Sequence, residues 1–318
     1  MQHSTQHTKN TQNTQKITKP AKAKPGFWTF FAIIMSIIGG AIIPQLKAAD
    51  VTTVPSFQVE VIGEGKPVLL IPGLMSDSRI WQHTVLSLKR DYQLHLISLA
   101  GFAGMPAIEG KLLPKVQHDL LAYIKQQQLV KPAIVGHSLG AFLAFALASS
   151  APEQMGTVVA VDGLPYIAPI FSRSAATQVS DMQAQAEQIK HYYQNMTAEQ
   201  LREGAKQGLF IQAKSVEHQT MILEMAAASD SRTVGQAMYE LLTTDLRPTV
   251  SMIQSQVWLL GASGALPATQ QPAAEALYEQ QIATIANATL LMNTNSRHFM
   301  MLDEPEWFIA QLRVALQE

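Results

Sequence analysis

No cysteine occurs anywhere in the 318 residues. That excludes disulfide stapling, thiolate metal sites and a thiol nucleophile, and it fits an oxidising compartment without demanding one. Charge is scarce as well: Asp, Glu, Lys and Arg make up 15% of the chain, against about 25% in ordinary soluble domains. With 47% hydrophobic residues there is apolar surface enough for a core, so disorder and a solvated coiled coil are excluded. The chain beyond residue 49 has no basic patch for nucleic acid, no phosphate loop and no metal-ligand spacing. Neither a metal nor another cofactor is expected.

Acidic residues are missing altogether from Met1 to Ala49, where six of the 23 basic side chains lie, so the remainder carries a net excess of seven acids. Residues up to Pro25 are rich in Gln, Thr, Asn and Lys and cannot bury enough surface to fold. Phe27 to Ile43 (FWTFFAIIMSIIGGAII) then runs without a charge. Five lysines before it and Ala48-Ala49 after it give the layout of an export signal with a long basic region, although Leu46 and Lys47 make a mediocre cleavage site. An uncleaved anchor is the rival reading, since the run sits at the short limit for a membrane span, roughly 17 to 25 residues. Either way the lysines stay cytoplasmic and the rest is exported, periplasmic or extracellular. Contact with a membrane is expected only through residues 27–43.

Beyond residue 49, helical and strand patterns alternate. Phe57 to Val61 alternates like a half-buried strand, and Pro67 to Ile71, Thr157 to Val161 and Gln256 to Leu260 are the continuous apolar runs of buried parallel strands. Leu94 to Leu99, Ala133 to Val135 and Ala288 to Met292 complete the strands. Ser78 to Arg90, Lys111 to Gln128 and Leu139 to Ser149 read as helices. Such alternation predicts an α/β fold with a mostly parallel sheet covered by helices on both faces. Strand signal vanishes between Tyr166 and Arg247. The expected organisation is therefore a core of residues 50–165 and 248–318 with a helical cap, 166–247, inserted over it.

Gly136-His137-Ser138-Leu139-Gly140 lies between an apolar strand and an Ala-rich helix, the context of a nucleophile elbow. A sharp strand-to-helix turn strains the serine and brings neighbouring backbone close, which glycine tolerates because it has no Cβ. A serine hydroxyl needs a positioned base. Of nine histidines, His3 and His7 lie in the tail; His83, His118, His191 and His218 lie on predicted helices. His95 is inside a strand and His137 inside the elbow. His298 follows the last strand in a loop, later in the chain than the serine, as this architecture requires. The backbone amides of Leu139 and of Leu74, after the tight exit at Gly73, are the candidate oxyanion donors.

These residues resemble the α/β-hydrolase superfamily, in its cap-bearing, serine esterase-like branch, from about Phe57 to the C-terminus. The elbow carries the resemblance together with Pro72 to Trp81 (PGLMSDSRIW), Leu99 to Gly104 (LAGFAG), Val161 to Pro165 (VDGLP) and Arg297 to Pro305 (RHFMMLDEP). It implies a Ser-His-acid mechanism through an acyl-enzyme, acting on a small-molecule ester or acyl substrate. The acid departs from the pattern. The loop that usually holds it, Gly261 to Pro267, contains no carboxylate. Asp162, at the end of the first apolar strand beyond the elbow, is the leading candidate. Asp303 reads better as an N-cap of the terminal helix, and a Ser-His pair oriented by water or Ser263 is a further alternative. Thioester, amide or carbon–carbon hydrolysis stays open, as does a catalytically silent binding protein that keeps the fold.

Overall fold

The computed structural model describes residues 55–317; the basic tail and the apolar run at 27–43 lie outside the described residues. Val68 to Ile71 are all buried, as an interior strand with both faces covered must be. They belong to β2 (Lys66–Ile71), which pairs in parallel with β3 (Tyr92–Leu99) on one side and β4 (Ala133–His137) on the other. Beyond β4 the parallel sheet continues through β5 (Val158–Val161), β6 (Val257–Ala262) and β7 (Ala288–Asn293). β1 (Phe57–Ile62) closes the opposite edge, antiparallel to β3.

The resulting order is β1-β3-β2-β4-β5-β6-β7. The chain steps from β2 out to β3 and then crosses back past β2 to β4, so sheet growth reverses direction there. In an open parallel sheet such a reversal leaves a crevice at the carboxyl ends of the strands. Ser138 follows the last residue of β4 and stands at that reversal.

Side-chain alternation along β2 builds two cores. Leu69 and Ile71 join Leu112, Val116 and Leu120 of α2 (Leu112–Gln126) and Leu139 and Leu143 of α3 (Leu139–Ser150). On the other face, Val68 and Leu70 join Val85 and Leu88 of α1 (Gln82–Leu88) and Phe308 and Leu312 further on. Each such side chain, fully buried, contributes about 1.5 to 3 kcal/mol. α3 is buried from Leu139 to Ser149, the condition of a helix that is apolar all round.

Between β5 and β6 come α4 (Ala168–Ser172), α5 (Val179–Gln194), α6 (Ala198–Gln212), α7 (Val216–Ala227) and α8 (Ser231–Thr243), with no strand among them. Side chains of Thr197, Ser215 and Asp230 cap the last three of these helices, satisfying amides that lack an intrahelical partner. Gly235 lets α8 approach α5 closely, since a Cβ there would lie 2.8 Å from the Lys190 carbonyl oxygen. Buried Glu240 ties α8 to the sheet layer by accepting from the amides of Leu112 and Leu113, at 3.1 and 2.7 Å, at the positive end of α2.

Three elements differ from the sequence expectation. The helix expected over 78–90 is a 3-10 turn (Ser78–Trp81) followed by the shorter α1, because Trp81 turns into the core and stacks on Phe308. α9 (Gln271–Ile282) follows β6, where no helix was expected; only Tyr278, Gln281 and Ile282 of it are buried, too short an apolar face to read. Asp303 ends α10 (Met300–Asp303) and does not cap α11 (Pro305–Gln317). Its carboxylate accepts instead from the amides of Arg297 and Lys214, each at 2.8 Å.

Candidate active site

Ser138 has φ 54° and ψ −113°, a backbone conformation that costs on the order of 1 to 3 kcal/mol. Its surroundings enforce that conformation. The Ser138 amide donates to the Val161 carbonyl at 2.9 Å, and two glycines allow the turn to close. A Cβ on Gly136 would lie 2.1 Å from the Gly140 oxygen, and one on Gly140 would lie 2.2 Å from the Ile71 oxygen. No other residue type fits at either position, so glycine is required by contact and not by flexibility. The strained turn sets the Ser138 side chain on the wall of a cavity of about 570 Å³.

His298 and Asp162 line the same cavity. Parallel pairing of β5 with β6 and of β6 with β7 brings the ends of these strands together across 136 residues of sequence. There Asp162 Oδ2 meets His298 Nδ1 at 2.5 Å. The other carboxylate oxygen accepts from the Ala262 amide and the Tyr278 hydroxyl, each at 2.8 Å. Asp162 thus has three donors and is buried, and none of them belongs to its own turn. The β6 loop, which has no carboxylate of its own, contributes an amide that holds the carboxylate of β5. Asp303 is occupied by backbone amides, and the buried Ser263 hydroxyl has no hydrogen-bond partner among the described residues. Neither of those alternatives is bonded to His298.

Tyr278 escaped the sequence reading, because nothing in the weak pattern of α9 marks one tyrosine out. Burial, reinforced by the adjacent Asp162 charge, pushes its phenol well above the usual value. It therefore stays protonated and donates.

The main chain around His298 is tied to the helical segment above the sheet. The amides of His298 and Phe299 donate to the carbonyls of Ile211 and Gln212 at 3.1 and 2.9 Å. These are last-turn carbonyls of α6, which have no partner within their own helix. His137 supports the same loop from below: its Nε2 donates to the His298 carbonyl at 3.1 Å, and the two rings lie 4.6 Å apart. Burial, and then the nearby His298, hold His137 well below the ordinary histidine pKa, so it is neutral in the fold. Below about pH 6.5 the unfolded chain takes up a proton that the folded chain refuses, so stability falls as pH drops, by up to about 1.4 kcal/mol per unit. Urea unfolding at pH 7.5 and 5.5 should show a smaller acid-side loss in His137→Gln than in the wild type.

Leu74 and Leu139 both line the cavity, and neither backbone amide has an acceptor among the described residues. Gly73 packs against the elbow, where a Cβ would lie 2.9 Å from His137 Nδ1. Of the described histidines only His137 and His298 reach the cavity. The rest of the wall is mainly apolar, with Met75, Leu164, Ile167, Ile222, Met238 and Leu277 among its side chains. No group of His, Asp and Glu that could hold a metal occurs among the described residues.

Comparison with known proteins agrees with this architecture. The alpha/beta hydrolase family model matches residues 68–311. A pimeloyl-acyl-carrier protein methyl ester esterase of Aeromonas salmonicida is 30% identical over 112 residues, 35% of this chain and 42% of that protein. The esterase of the same name from Nitrosospira multiformis is 24% identical over 265 residues, covering 81% of this chain and 97% of its own. The chain thus spans less than half of the Aeromonas relative and nearly all of the Nitrosospira one. The enol-lactonase of Burkholderia xenovorans shares the fold, with a TM-score of 0.67 at 15% identity over 82% of this chain and 96% of its own. The protein belongs to the alpha/beta hydrolase family.

Proposed function

We propose that the protein is an exported serine carboxylesterase that uses Ser138, His298 and Asp162 as its triad. The observation that carries this reading is the 2.5 Å contact of His298 Nδ1 with Asp162, on the wall of the cavity that Ser138 also lines. With Nδ1 engaged by a carboxylate, Nε2 is the nitrogen left to take the Ser138 proton. Asp162 holds that tautomer and stabilises the imidazolium that forms. Attack on an ester carbonyl builds negative charge on its oxygen, for which the amides of Leu74 and Leu139 are the donors. The alcohol leaves with the proton from His298, and His298 then activates water to release the acid. A mainly apolar cavity suits an ester with an apolar acyl chain, in keeping with the methyl ester esterases among the relatives. Asp162, in contact with His298, stands in for the carboxylate absent from the Gly261–Pro267 loop, which favours the enzyme over a silent scaffold.

Export rests on the basic tail and the apolar run at 27–43. Among the described residues no helix is long and apolar enough to cross a membrane, so any anchor is assigned to that N-terminal run. One experiment addresses both parts. Cells producing the protein are labelled with a fluorophosphonate and fractionated, and the labelled species is weighed by mass spectrometry. Stoichiometric label that disappears in Ser138→Ala is expected, on a shortened species in the periplasmic or secreted fraction or on a full-length one in the membrane. Folded protein that takes no label would sink the hydrolase mechanism, and label on full-length protein in the cytosol would sink export alone.

A further inference from the structure

Arg297 adjoins His298 in sequence and lines the same cavity, where Asp162, His298 and Arg297 are the chargeable side chains apart from the neutral His137 and protonated Tyr278. Asp162 and His298 satisfy each other. Among the described residues Arg297 is left without an acid. Its Nη1 donates to the Ala213 carbonyl at 2.9 Å, and its guanidinium lies 5.7 Å from the Phe210 ring centre. These contacts fix the group in place but do not neutralise it. Arg79, Arg247 and Arg313, the other described arginines with side-chain hydrogen bonds, each pair with an aspartate. The two acids that follow in the chain are committed elsewhere: Asp303 to two backbone amides, Glu304 to Lys214. A half-buried cation gives up hydration, and one carbonyl and one ring face return only part of what a counter-charge would. Its Nε and Nη2 donors, which have no partner among the described residues, form the planar fork that matches a carboxylate or a phosphate.

We infer that Arg297 is an anion-recognition residue, and that the preferred esters carry a carboxylate or phosphate separated from the scissile carbonyl by an apolar chain. The apolar wall takes the chain, and Arg297 takes the charged end. This deepens the ester-hydrolysis reading and rests on it.

The test compares kcat/KM for three methyl esters of equal chain length: one ending in a carboxylate, one in a phosphate and one in a methyl group. The wild type is expected to prefer at least one anionic ester over the neutral one by about tenfold, the factor that corresponds to about 1.4 kcal/mol. Whichever anion is preferred identifies the source. Arg297→Gln should bring that ratio close to one, mainly through KM, and Arg297→Lys should keep part of it. A role limited to holding Ala213 would lower turnover of anionic and neutral esters alike, leave the ratio intact and overturn the inference. If Arg297→Gln fails to fold, salt decides on the wild type: raising ionic strength should compress the ratio, because screening weakens the ion pair and not the apolar contacts. A wild-type ratio near one for both anions overturns the inference while leaving ester hydrolysis standing. No turnover of any of the three esters sinks both.

Discussion

Asp162→Asn is expected to lower p-nitrophenyl ester turnover by about 10⁴-fold, somewhat less than the roughly 10⁶-fold loss expected for Ser138→Ala. The hydrogen bonds show why so small a change does so much. Oδ1 of Asp162 faces two donors, the Ala262 amide and the Tyr278 hydroxyl, so an asparagine must turn its own oxygen toward them. Its NH₂ group then faces His298 Nδ1 and can only donate. The imidazole is driven to carry its proton on Nε2, the nitrogen that must receive the proton from Ser138. Packing is preserved and the tautomer is wrong. Asp303→Asn makes the opposite case. Its two oxygens accept from the amides of Arg297 and Lys214, so the variant loses one backbone bond at a cost of about 1 to 3 kcal/mol of stability. Its turnover should fall less than tenfold. Equal losses in kcat/KM for the two variants would refute the assignment of Asp162 as the acid.

How readily each part of the site could be read depended on how local its cause is. The elbow is five contiguous residues whose glycines answer contacts within one turn and the neighbouring strand, and it was legible at once. His298 was legible from its loop, because the other histidines fell on elements that give an imidazole an ordinary place. Asp162 was harder. Its contact with His298 depends on β5 lying beside β6, a neighbour relation set by crossovers that no short window contains. The Ala262 amide, Tyr278 and the α6 carbonyls behind His298 were not legible at all. They meet the site through tertiary packing, and α9, which carries Tyr278, lacks a strong apolar stripe. Asp303 was misread because Asp-Glu-Pro-Glu is a sound capping pattern, yet the carboxylate found amides from the α6–α7 turn and the His298 loop. The chain before residue 55 contributes only to the export reading, which comes from composition.

Gly136→Ala is expected to lose most of the folded state as well as the activity, since its Cβ would be driven to 2.1 Å from the Gly140 oxygen. That atom is backbone, fixed by the start of α3, and no rotamer relieves the contact. Gly140→Ala and Gly163→Ala meet the Ile71 and Ser138 oxygens at 2.2 and 2.4 Å and should behave alike. Losses of this kind fall at the extreme of single substitutions, about 4 to 5 kcal/mol or more, against a total of about 5 to 15 kcal/mol for a domain. Gly208 provides the contrast. It lies within α6, with nothing within 4 Å of a built Cβ, so Gly208→Ala should raise stability by about 0.5 to 1 kcal/mol through helix propensity alone. Urea unfolding of the four variants measures both signs together. Wild-type stability in Gly136→Ala would mean that β4 and α3 do not meet in the strained turn that presents Ser138, and the mechanism built on that turn would fall with it.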